Sequence, residues 1–166
     1  PPVAATLSHV DQTMARVLPL AHEYTAQEPL SLKSVVDGDR ERAVVTAVAP
    51  LPEAIPRLVA DALTQLRAAL EHTVYAEVQH LLPRPLTAEE ARTIEMPAST
   101  SLAGYEDWLN HRRRRGLPPL QASAPLAQRI RSLQPFHRRD PDEHPLKILV
   151  EAVFSYSCRH PSCSRT

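Results

Sequence analysis

A chain of 166 residues with no net formal charge amounts to about one domain and is long enough to bury a core. Hydrophobic residues make up 43% but aromatics only 4%, so the interior must be built from Leu, Val, Ile and Ala, which favours helices over a large sheet. Three scattered glycines, Gly38, Gly104 and Gly116, cannot form a glycine-rich phosphate loop, and no apolar run approaches the ~20 residues of a membrane span.

Residues 7 to 24 read as a first helix. Leu7, Val10, Met14, Val17 and Leu18 recur at helical spacing, with Thr6 or Ser8 as N-cap. Pro19 is expected to kink or shorten it. Residues 30–36 and 41–49 are β-branched runs around Asp37-Gly38-Asp39, the pattern of a two-stranded hairpin. A lone hairpin is marginal in water, so this one is expected to lie against the helix that follows.

That helix, over residues 55 to 82, dominates the pattern. Ile55, Leu58, Val59, Ala62, Leu63, Leu66, Ala69, Leu70 and Thr73 share one broad stripe at about 100° per residue. Arg57, Asp61, Gln65, Glu71 and Tyr75 fall opposite. Pro56 suits a first turn and Pro83 forces the stop. At 1.5 Å per residue the rod is about 40 Å long, enough to be the spine of a small domain.

Beyond Pro83 a proline- and threonine-rich connection runs to about Ser101, with a capping-box start at Thr87-Ala-Glu-Glu90 and room for only a turn or two of helix. Residues 101 to 115 read as a helix with Leu102, Tyr105, Trp108 and Leu109 on its apolar side and Arg112 to Arg115 in its last turn, where cations suit the negative helix end. Residues 123 to 133 make another short helix. Residues 145 to 156 make the last, with Leu146, Ile148, Leu149, Val150, Val153 and Phe154 nearly continuous and therefore expected to be buried.

Charge is unevenly distributed. From Asn110 to Arg139 there are eight arginines and no Asp or Glu, so the rest of the chain is acidic. Either a polyanion docks on this segment, or the two parts attract each other within the fold.

The segment Val59-Ala-Asp-Ala-Leu-Thr-Gln-Leu-Arg-Ala-Ala-Leu-Glu-His-Thr-Val-Tyr75 resembles a family of uncharacterised bacterial proteins with a long helix of the type GDALHNLRSALDHLVY. Ile130-Arg-Ser-Leu-Gln-Pro-Phe-His137 resembles the family's I-x-x-LQPYH element, and His144-Pro-Leu-Lys-Ile-Leu149 its HPLWLL element. The resemblance covers most of residues 7–150 and implies helical packing, without an activity to carry over. After the last helix the family continues with an Asn-x-x-Lys-His-Arg element. Ala152-Val-Phe-Ser-Tyr-Ser157 stands there instead, so residues 151–166 are expected to be the end of a helix followed by an aberrant tail.

Arg67-Ala-Ala-Leu-Glu-His72 has the R-x4-H form seen in HEPN-type ribonucleases, which are also helical and cleave RNA without metal at a dimer interface. A histidine there moves the 2′-hydroxyl proton while an arginine stabilises the phosphorane. About one such pair is expected by chance in a chain with this many Arg and His, and positions five apart lie about 140° apart on a helix. Boundary residues flanking an apolar stripe are the plainer explanation. Arg112, Arg113, Arg114, Arg115, Arg129, Arg131, Arg138 and Arg139 are candidates to hold RNA phosphates. Cys158, His160 and Cys163, with His137 or His144, offer soft ligands in a single cluster, where structural zinc needs paired clusters. No metal and no cofactor are therefore expected. With both cysteines in the last nine residues a disulfide framework is absent, which points to the cytoplasm.

The sequence thus predicts a mainly α (α+β) domain over residues 1–150, a small helical bundle around one long helix with a hairpin. The function expected of it is a non-enzymatic interaction domain that self-associates, as a homodimer, through its helical surface. An RNA-binding or HEPN-like ribonuclease function is the alternative.

Overall fold

The computed structural model describes residues 2–111 and 116–158. The architecture is mainly α with one antiparallel hairpin. In chain order it comprises α1 (Pro2–Ala26), β1 (Leu30–Asp37), β2 (Arg40–Val48), α2 (Ala54–Leu81), α3 (Ala88–Ala91), α4 (Leu102–Leu109), α5 (Pro125–Ser132) and α6 (Pro145–Cys158), with 3-10 turns at Pro118–Leu120, Pro135–His137 and Pro141–Glu143.

The long rod is unbroken. Pro56 sits in the first turn of α2, and the chain leaves it extended at Leu82. Its buried side, however, turns along its length. Ile55, Ala62 and Ala69, seven residues apart, are buried in the first part, where α1 packs along it with Val10, Thr13 and Val17 buried. Alanines at that seam let two helix backbones approach closely. Further on, Val74 and Val78 enter the main core with Ile94, Met96, Tyr105, Leu117, Leu120 and Ile130. Thr73, expected on the apolar stripe, is exposed and returns its hydroxyl to the Ala69 carbonyl at 2.8 Å.

Three expectations need correction. Pro19 does not end α1, which runs through it from Pro2 to Ala26. An interior proline costs about 3 kcal/mol, and packing along α2 offsets it because Pro19 lies on the exposed side. The face of α1 is also rotated, since Leu7, Met14 and Leu18 are exposed while Thr13 is buried. In α6, Leu146 is buried but Ile148 is 51% exposed, because one side of that helix borders an open groove.

The helix expected over residues 101 to 115 ends at Leu109. Ser101 caps its start by accepting the Gly104 N–H at 3.1 Å, and Asn110 closes it. Arg112 to Arg115, expected in its last turn, lie outside the described residues. Thr87 and Glu90 form the expected capping box on the single turn of α3.

Candidate functional site

The hairpin forms where the sequence places it, with Gly38 at φ 67° in the two-residue turn, a left-handed conformation that glycine adopts without strain. Its position is not the expected one. Every residue of both strands is exposed, so neither face lies against α2.

Register decides what the ribbon presents. Leu30 pairs with Val48, Leu32 with Val45, Ser34 with Ala43 and Val36 with Glu41, with a bulge between Ser31 and Leu32. Directly opposed residues share a face, so Leu30, Leu32, Val36, Val45 and Val48 share one side with Ser34, Ala43 and Glu41, whose carboxylate accepts the Ser34 hydroxyl. Each of the five is at least half exposed, up to 75% for Val36. The other face carries Lys33, Arg42 and an Arg42–Asp37 ion pair at 3.0 Å, with Val35 and Val44 among them. The first side is the more apolar of the two, most of all at the Leu30–Val48 and Leu32–Val45 end, and it faces solvent.

A second apolar surface runs between α2 and α6. A groove of about 570 Å³ is lined by Leu63, Leu66, Leu70, Leu133, Ile148 and Leu149, among others. Leu66 and Leu70 are half-buried, so the apolar stripe of the rod is only partly covered by its own chain.

Arg67 and His72 occupy different surroundings. The Arg67 side chain is 17% exposed, donates from Nε to Glu71 Oε1 at 2.8 Å and from Nη1 to the Val150 carbonyl at 3.3 Å. It ties α6 to α2. His72 is exposed, and the structure does not bring the two together.

The arginine-rich segment is likewise divided. Arg129 edges an apolar cleft with Leu126 and Leu133. Arg138 and Arg139 share a cleft with Asp140 and Glu143. Arg131 lines a polar cleft with Gln128, Ser132 and His137. The four described arginines thus line three different clefts.

Of the candidate metal ligands, His160 and Cys163 lie outside the described residues. His144 is engaged, its Nδ1 accepting the Leu146 N–H at 3.1 Å at the start of α6. Among the described residues no three His, Cys, Asp or Glu side chains cluster as metal ligands, and no helix is long and apolar enough to cross a membrane.

One residue escaped the sequence reading. Gln134 is buried to 1% exposure; its Oε1 accepts the Ser99 N–H at 2.9 Å and its Nε2 donates to the Ile130 carbonyl at 3.0 Å. A polar residue inside the apolar Leu133–Phe136 stretch was the available signal, since a buried amide survives only with its hydrogen bonds made.

Comparison of the chain with protein-family models, curated proteins and solved structures returns no match.

Proposed function

We propose that this chain is a non-enzymatic interaction domain that self-associates, with the more apolar side of the hairpin at the contact. The observation that carries the reading is the solvent-facing row Leu30, Leu32, Val36, Val45 and Val48. A two-stranded hairpin is marginal in water on its own. Contiguous exposed apolar surface on a protein marks an interaction site, and a ribbon also offers unpaired edges. The groove between α2 and α6 supplies further apolar surface of the kind a helical contact would cover. Nothing in the reading calls for catalysis, because Arg67 spends its guanidinium on Glu71 and the α6 backbone.

Sedimentation across a dilution series tests it. The expected outcome is a mass that rises from one chain toward two with concentration and is insensitive to salt, since apolar burial is not screened. A single-chain mass at every concentration would remove the proposal. Salt-sensitive RNA binding with RNA cleavage lost in His72→Ala would replace it with the ribonuclease function.

A further inference from the structure

The polar cleft at the end of α5 points to a second, independent property. We infer that Arg131 and His137 form a binding site for a small phosphate monoester or inorganic phosphate. The cleft has a volume of about 320 Å³ and is lined by Gln128, Arg131, Ser132 and His137, with no carboxylate among them. The neighbouring cleft differs, for there Asp140 and Glu143 accompany Arg138 and Arg139.

Arg131 is the unusual member. Its Nε is buried and has no hydrogen-bond partner, and among the described residues its guanidinium makes no hydrogen bond or ion pair. Arg42 pairs with Asp37, Arg57 with Glu53, Arg67 with Glu71 and Arg84 with Glu90, and the other described arginines, Arg131 aside, are exposed to water. A buried donor left unpaired costs free energy, so the Arg131 side chain gains by turning its fork toward an oxyanion seated in the cleft, which would accept charge-assisted bonds from it.

The rest of the cleft is held in place. Ser132 Oγ donates to the Arg129 carbonyl at 2.8 Å and Gln128 Nε2 to the Ala122 carbonyl. The His137 ring stands 4.3 Å from that of Phe136. Two fixed lining residues, a planar guanidinium fork and an imidazole surround one space. The fork matches carboxylate and phosphate alike, but a separate ring donor beside it can engage a third oxygen, which a phosphoryl group has and a carboxylate lacks. Exposed Arg129 and Arg138 nearby, in a segment without Asp or Glu up to Arg139, add a favourable field.

Size and lining favour a small ligand over a polynucleotide. The volume is at the lower end for small-molecule sites, and His137 is the one ring among its lining residues, too few for successive bases to stack on.

The test is a titration of the full chain with inorganic phosphate and, separately, glycerol phosphate, at ionic strength held constant with chloride. Nitrogen–proton NMR follows the Arg131 Nε–H and the His137 ring. Saturable shifts of both are expected, with affinity weakened about tenfold or more in Arg131→Gln, weakened in His137→Ala, and weakened by a clearly smaller factor than either in Arg129→Gln, whose side chain lies outside the cleft and acts only through its field. Saturation by inorganic phosphate and glycerol phosphate alike would mark a site for the free phosphoryl group. Saturation by glycerol phosphate alone would mark an ester site. His137 is exposed, so its variant keeps the test usable should Arg131→Gln fail to fold. Shifts that drift without saturating, or that persist in both cleft variants, would overturn the site. So would Arg131-dependent binding of single-stranded RNA with none of either phosphate.

Discussion

Leu32 and Val45 stand directly opposite each other across the hairpin, yet they are 63% and 51% exposed. Cross-strand aliphatic pairs stabilise a sheet mainly by shielding one another and the surface they pack on. Here the pair shields only itself. Replacing Leu32 with lysine and Val45 with glutamate, an opposite-charge pair across the strands, separates two situations. On a surface that stays in water the change is nearly neutral, whereas at an apolar contact it places charge where burial is expensive. The double variant is expected to keep its helical circular dichroism and its melting temperature at high dilution while losing the concentration-dependent rise in mass. Unchanged association would move the contact away from the ribbon.

Gln134 joins α5 to the connection before α4 through Ser99 and Ile130. Truncation to alanine leaves the Ser99 N–H without its partner and opens a void. Urea denaturation of Gln134→Ala is therefore expected to give a stability lower by about 2 kcal/mol. A change below about 0.5 kcal/mol, the range of ordinary surface substitutions, would mean that water replaces the amide.

Arg67 and His72 make opposite predictions for stability. Losing the Arg67 contact to the Val150 carbonyl should loosen α6, so Arg67→Ala is expected to lower stability by about 1 kcal/mol and to speed amide exchange in residues 146–150. His72→Ala, at an exposed position, is expected to leave both unchanged. Equal effects from the two substitutions would contradict the anchoring role of Arg67.

What the sequence discloses follows the range of the interactions involved. Periodicity and two prolines locate α2 to within a residue at each end, and Asp37-Gly38 locates the hairpin turn, because both depend on local backbone preference. Where the hairpin sits depends on packing between distant residues, and the rule that a lone ribbon must be covered misplaced it. The same limit explains the rotated face of α1 and the exposure of Ile148. An apolar residue at helical spacing says which stripe is available, and the neighbour decides how much of it is buried. The candidate site was legible as residue types only. Arg67 and His72 were placed by spacing, but the Glu71 and Val150 partners that commit Arg67 were set by the docking of α6. Gln134 was visible only as an out-of-place amide.

Glu90 gives an acid-side prediction. The Arg84 guanidinium and the Thr87 N–H hold its carboxylate down to about 2, from an ordinary 4.5. A depressed carboxylate stabilises the fold above its unfolded value, and that contribution is lost as pH falls from about 4.5 through about 2. Loosening of the turn at Ala88–Ala91 is therefore expected in that window. Amide exchange of Glu90, whose N–H donates to the Thr87 hydroxyl, reports it. Glu90→Gln should show the looser turn at neutral pH and little further change on acidification.

On the alkaline side the group that matters is Tyr105. Burial in the main core pushes its phenol up to about 12 from an ordinary 10, with the nearby Arg131 charge opposing in part. Its hydroxyl donates to the Ala127 carbonyl at 2.6 Å, a bond that the phenolate cannot make. With the native value raised, the stabilising contribution is complete below about 10 and disappears as pH rises through about 12. Spectrophotometric titration should therefore reveal a phenol fraction that ionises only near pH 12, together with the collapse of near-ultraviolet dichroism from the stacked Tyr105 and Trp108 rings. Tyr105→Phe removes that fraction and the bond to Ala127, so the variant should be less stable at neutral pH while losing less on the way to alkaline pH. Ionisation of every tyrosine near 10 with the dichroism intact would place the ring in contact with water and contradict the core around it.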